Sequence, residues 1–307
     1  MLDTPPSRGR GRAAALAALG GYNRGLSKFE MGRSQLEESV AILRELNDAR
    51  GTGRALAELA VIVAAQGNTG YARSLNEESL ALARAAGDRS YVALALHSLG
   101  ILTGQEGDET GARSWLEESR GVWQELGNSG MLSLASNSLG DLARSRGRFA
   151  EAAAYYRESL ALAEESATRQ MQAVYRHNLG HATHRLGDCD GARTLFEEAL
   201  ALFRELGDQR GMAECVAGLA GLVAATEPEQ TARLFGATSA VVSAIGSRLN
   251  PSNQGDYAYA LAIARARLGN QAFDAAWARG RSMTLEGAIA DALRQRPAFT
   301  SDRIAGT

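Results

Sequence analysis

Apolar and small residues return along the chain with a fixed step of 40 residues. Leu-Gly falls at Leu19-Gly20, Leu99-Gly100, Leu139-Gly140 and Leu179-Gly180, and Leu-Ala fills the remaining places at Leu59-Ala60 and Leu219-Ala220. A second marker keeps the same interval: Leu36 to Ser39, Asn76 to Ser79, Leu116 to Ser119, Tyr156 to Ser159 and Phe196 to Ala199. Glycines at 67, 107, 147 and 187, and again at 87, 127 and 207, stand where helices need a residue tolerant of left-handed geometry. Each unit therefore reads as a helix, a tight turn, a longer helix and another turn. Six units run through 12–51, 52–91, 92–131, 132–171, 172–211 and, in degenerate form, 212–251.

The small residues say how the helices meet. Gly100, Gly140 and Gly180 fall mid-helix, where glycine costs about 1 kcal/mol relative to alanine, so a paired helix is expected to approach closely there. Ala72, Ala112, Ala152 and Ala192 precede large side chains such as Leu116, Tyr156 and Phe196. Small beside large lets neighbouring helices interlock.

This register resembles the tetratricopeptide repeat over about residues 12–251: Leu-Gly, a small residue, an aromatic or leucine, then a small residue such as Ser119, Ser159 or Ala199. It lacks that family's leading Trp and trailing Pro and runs 40 residues instead of 34. A HEAT or armadillo array is the competing reading, since its period is close. The resemblance implies an all-α, right-handed α-solenoid of about six hairpins. After Glu227-Pro228-Glu229 the beat fades, and helices around Asp256 to Leu268, Ala272 to Ala278 and Leu285 to Leu293 form an expected C-terminal cap, with Thr284 as a helix cap. Ala232 to Ala237, Tyr257 to Leu261 and Phe273 to Arg281 resemble the C-terminal region of large bacterial signal-transduction ATPases, including LuxR-type transcriptional regulators. That likeness implies a sensor or partner-docking arm, because no GxxxxGK[ST] phosphate loop and no DNA-reading module is found. The expected domains are a flexible leader at 1–11, the repeat array at 12–251, the cap at 252–296 and a flexible tail at 297–307.

Composition narrows the function. Only 5 prolines and 6% aromatics in 307 residues favour helix over strand, and a formal charge of −2 gives no general reason to bind nucleic acid. Cys189 and Cys215 show neither disulfide nor zinc-site spacing, which fits a reducing cytoplasm. No apolar run reaches the roughly 20 residues of a membrane span. Neither membrane nor cofactor is expected.

Chemistry concentrates on one stripe. His177, His181 and His184 share a helix face at i, i+4, i+7, and the repeat register aligns Asn137, Asp141 and Arg144 in the unit before and His97 earlier still. With Arg185, these eight residues are expected to line a concave groove. A solvated polar face is the plain reading; docking of a peptide or protein is the functional one. Sensing of a small-molecule effector, or self-association through the first unit, are the alternatives. A metal held by His177, His181 and Asp141 is a weaker reading. Two charged imidazoles about 6 Å apart repel by roughly 0.7 kcal/mol in water and about 3 at an effective dielectric of 20, so groove affinity is expected to change below about pH 6.5. The recurring serines and Glu-Glu pairs follow the repeat and carry no catalytic motif, so no enzyme is expected.

Overall fold

The computed structural model describes residues 6–26, 28–165 and 169–294, and among them the secondary structure is helix without strand. The helices are α1 (Pro6–Gly25), α2 (Phe29–Glu45), α3 (Ala49–Ala65), α4 (Thr69–Ala85), α5 (Arg89–Gln105), α6 (Glu109–Glu125), α7 (Ser129–Ser145), α8 (Phe149–Glu165), α9 (Arg169–Arg185), α10 (Cys189–Leu206), α11 (Gln209–Leu222), α12 (Pro228–Ala244), α13 (Gln254–Leu268), α14 (Asn270–Arg281) and α15 (Leu285–Leu293). A one-turn 3-10 helix, Pro251–Asn253, precedes α13. The chain divides into two compact units, Met1–Ser138 and Leu139–Thr307.

Both units are built from hairpins of a first and a second helix, as the 40-residue step implies. The turn glycines have positive φ, from 64° at Gly87 and Gly127 to 92° at Gly107, and Asn47 takes the same conformation at φ 51° in the turn from α2 to α3. The next helix then starts on a capping side chain. Asp48, Asn68, Asp108, Asp188 and Asp208 accept from the backbone N–H three residues on, at 2.8 to 3.2 Å. Left-handed residue followed by cap is the local code at these turns, each cap adding about 1 kcal/mol, whereas Asp88 after Gly87 makes no capping bond and pairs with Arg50 and Arg54 instead.

Within hairpins, glycine marks the closest approach. A Cβ on Gly100 would lie 2.7 Å from Leu116 Cγ, one on Gly140 2.6 Å from Tyr156 Cε1, and one on Gly180 2.8 Å from Phe196 Cε1. The recurring serines add a polar tie that the repeat pattern alone does not reveal. Ser39, Ser79 and Ser119 are fully buried and donate to the carbonyls of Ala13, Gly53 and Ala93, each 26 residues back and each at 2.8 Å. Every such bond joins a second helix to its own first helix.

Helix α1 begins at Pro6, inside the expected leader 1–11, and residues 1–5 lie outside the described residues. The expected tail, 297–307, lies outside the described residues. In the second unit α13, α14 and α15 follow the last hairpin. Phe273 and Trp277 of α14 stack with ring centroids 6.0 Å apart, and Thr284 caps α15 by accepting from Gly287 N–H at 3.1 Å. No helix among the described residues is long and apolar enough to cross a membrane.

Candidate functional site

The eight residues expected along one groove do not form an open stripe. In the first unit, His97 of α5 lies 2.9 Å from the Ser138 hydroxyl through Nε2, and Asn137 of α7 is buried. Burial lowers the His97 pKa to about 4.

In the second unit, Arg144, His177 and His181 are only 5%, 2% and 3% exposed. The expected accessible imidazole pair is therefore corrected to an interred one, and α13 is the physical reason. Its Tyr257 ring meets the His181 ring edge-on at 5.6 Å. Beneath, the His177 and His181 rings pack T-shaped at 4.7 Å, both against Phe196. An aromatic floor from α10 and an aromatic lid from α13 enclose the two imidazoles.

Asp256, in the first turn of α13, supplies the charge that makes this burial tolerable. It accepts from Arg144 Nη1 and from Arg185 Nη1, each at 3.1 Å, and lies 3.6 Å from His181 Nδ1. Arg144 also donates to Asn253 Oδ1 at 2.7 Å and stands 3.8 Å from Asp141, whose Oδ1 accepts from the Tyr156 hydroxyl at 2.7 Å. Asn253 in turn donates to Glu214 Oε2 at 3.2 Å, while Glu214 Oε1 accepts from Asn250 N–H and Arg210 Nε. The buried charges are paired, the arrangement a low-dielectric interior requires.

These surroundings also move the expected pH response. Burial pushes His181 well below the ordinary imidazole value, helped by His177 and Arg144, and lowers His177 and His184 as well; Glu214 opposes the shift at His177 and Asp256 at His184. In the folded protein these imidazoles therefore take up protons at lower pH than free ones, which moves any binding change they cause downward from pH 6.5. The metal reading is corrected too: Asp141 is engaged by Tyr156 and Arg144, and among the described residues no three His, Cys, Asp or Glu side chains converge on a metal position.

His184 and Arg185 remain near solvent. They border a small opening with Asp256 and Tyr259, where the Arg185 guanidinium lies 4.4 Å from the Phe149 ring centre and 5.0 Å from that of Tyr259. Sequence reasoning missed Asp256, Asn253 and Glu214. Glu214 had a detectable signal, as the one acidic residue in the apolar helix α11. Both cysteines are free thiols, and burial pushes Cys215 well above its ordinary value and Cys189 upward.

The first unit carries an open cleft instead. It has a volume of about 400 Å³ between α1, α3 and the start of α5, with Ala13, Ala17 and Ala55 among its lining and Arg10, Arg54, Glu58 and Tyr91 around it. Ala17 occupies the register of His97, Asn137 and His177, so this is the first-helix face that the sequence singled out, displaced toward the first hairpins. Arg54 is fixed by Asp88 at 2.7 Å and sits 4.9 Å from the Tyr91 ring centre.

Two family models, both described as Tetratricopeptide repeat, match residues 91–165 and 173–206. No curated protein matches the chain in sequence. Among solved structures it is similar to aspartyl phosphate phosphatase F from Bacillus subtilis, with 12% identity, a TM-score of 0.66, and 88% of this chain and 72% of that chain covered. A Rap protein complexed with Competence and Sporulation Factor gives 15% identity and a TM-score of 0.63 over 88% of this chain and 77% of its own. BtubC from P. vanneervenii gives 17% identity and a TM-score of 0.54 over 67% and 94%. At such identities the likeness is one of fold. The hairpins are thus similar to tetratricopeptide repeats both in the matched sequence segments and in architecture.

Proposed function

We propose that the chain is a non-catalytic cytoplasmic scaffold that docks a peptide or protein segment on the first-helix face of its repeats, with the α1/α3/α5 cleft as the seat. The observation that carries this reading is the occupancy of the corresponding face in the second unit. There a helical segment, α13, lies against α9 and α11 with Tyr257 on an aromatic floor and Asp256 held by two arginines. A surface of this make seats a helix through a few aromatic contacts and a clamped carboxylate. The open cleft offers an aromatic ring, Tyr91, and two arginines, Arg10 beside Asp48 and Arg54 held by Asp88, over an alanine floor.

A signalling or transcription-regulating role follows as the finer proposal. It is supported by the tail's resemblance to bacterial signal-transduction ATPases and LuxR-type regulators, and by the fold likeness to a Rap protein bound to Competence and Sporulation Factor. A small-molecule effector is the second reading, favoured by a cavity of about 110 Å³ bordered by His177, Asn178, Arg210 and Glu214. The His177 Nε2 atom is buried there without a hydrogen-bond partner.

Peptides selected from a display library against the full chain test the cleft. Ala17→Arg, which fills its floor, should abolish their binding while leaving the far-ultraviolet spectrum unchanged. Selected peptides that bind Ala17→Arg as well as wild type place the docking surface elsewhere.

A further inference from the structure

The cavity of about 110 Å³ in the second unit is walled by Gln170 and His177 of α9, Phe203 of α10, and Asp208, Arg210 and Glu214 around the start of α11. His177 is 2% exposed, and its Nε2 has no hydrogen-bond partner. A buried polar atom in that state costs free energy until a group in the cavity meets it.

The charge on the wall decides what kind of group that is. Asp208 and Glu214 are carboxylates, and Arg210 is the one cationic side chain among the lining residues. Arg210 spends its Nε on Glu214 at 3.1 Å, and its side chain is 45% exposed against 8% for Glu214. Water therefore screens the cation more than the anion, and the interior of the cavity is negative. His177 adds no positive charge near neutral pH, because burial lowers its pKa more than Glu214 and Asn178 raise it. A neutral imidazole still has a lone pair to offer.

Hydrogen-bond capacity points the same way. Gln170 donates its amide N–H to Asp208 Oδ2 at 3.0 Å, which leaves Gln170 Oε1 as an acceptor, and each carboxylate oxygen can accept more than one bond. An anion entering here would meet two like charges, and a neutral molecule would gain little from them. An ammonium group is all donor and carries the complementary charge. Size bounds the rest of the ligand: a cavity of about 150 Å³ accommodates benzene, so this one holds about four non-hydrogen atoms.

We propose, on the small-molecule reading of this cavity, that it binds a small primary ammonium compound, held by Asp208, Glu214 and the His177 imidazole with its short carbon chain against Val174 and Phe203.

Ethylammonium is the probe, titrated at fixed pH and ionic strength into the full chain labelled with nitrogen-15 at its 4 histidines. The His177 imidazole signals, identified by their loss in His177→Phe, should shift saturably at roughly millimolar concentration, the affinity so few atoms can supply. Asp208→Asn removes the charge and keeps the helix cap, since asparagine caps as well as aspartate; it should weaken binding about tenfold or more. Tetramethylammonium, which has the charge and no N–H, should leave His177 unshifted. That comparison uses the wild-type chain, so it stands whether or not a variant folds, and circular dichroism checks the helix content of each variant. No saturable shift with ethylammonium, an equal shift with tetramethylammonium, or binding by a folded Asp208→Asn as tight as wild type would overturn the proposal. Acetate or ethanol shifting His177 where ethylammonium does not would overturn the ammonium assignment and leave the small-molecule reading standing. Signals unmoved by all four compounds would remove both.

Discussion

The Asp256 carboxylate on α13 accepts from the Arg144 guanidinium on α7 at 3.1 Å, a bond that spans 112 residues of sequence. The Arg144 side chain is 3% exposed and that of Asp256 12%. Removing one member of such a pair strands the other in a low-dielectric site. Asp256→Asn should destabilise the protein by about 3 kcal/mol in urea unfolding, whereas Arg84→Gln, which loses only the exposed pair with Glu118 at 2.7 Å, should cost less than about 1 kcal/mol.

The buried imidazoles give stability a pH slope of known sign. Their folded pKa values lie below the unfolded value of about 6.5, so the unfolded chain takes up more protons as pH falls below that point. Their contribution is fully present above about pH 6.5 and is lost on acidification toward the folded pKa values. Thermal unfolding between pH 7.5 and 5 should show a falling Tm. The double variant His177→Gln/His181→Gln should have a shallower slope over that window, whatever its Tm at pH 7.5; an unchanged slope would show that other groups dominate.

Gly140→Ala should destabilise despite the better helix propensity of alanine. The added Cβ would lie 2.6 Å from a Tyr156 ring that is fully buried and hydrogen-bonded to Asp141. Overpacking costs about 1–3 kcal/mol, which outweighs the roughly 1 kcal/mol gained by replacing glycine. Gly121→Ala, mid-helix with nothing within 4 Å of the new Cβ, is the control and should stabilise.

Ser79→Ala removes the hydroxyl that donates to Gly53 O and leaves that carbonyl without the serine bond. A loss of about 1 kcal/mol is expected in chemical denaturation. Ser79→Thr keeps the donor but adds a methyl to a site with no exposure, so it should not restore full stability.

The hairpins were legible because their determinants are local. The turn glycines, the Gly140 and Tyr156 pairing and the small residues at the helix crossings all lie within one 40-residue step, and a period exposes them. Asn47 escaped that reading because it performs a glycine's task with a different side chain, and the capping aspartates because they were counted only as charge. The burial of His177 and His181 was not legible at all. On their own helix they mark a polar face, and only the return of Tyr257 and Asp256 from a segment outside the repeat turns that face inward. Periodicity assigns a face to a helix, and a non-periodic segment then decides whether water reaches it.

The serine ties and the Asp256 clamp differ in the length of chain they close, and this orders events during folding. Each hydroxyl bond from a second helix spans 26 residues, so a hairpin can form as soon as it is made, with little loop entropy to overcome. The clamp must wait until α7, α9 and α11 are in place, since its acceptor arrives on α13 after more than a hundred residues. Until then the two neutral imidazoles and Arg144 stand in water, and the nascent protein presents a cationic, titratable surface that the finished one has sealed.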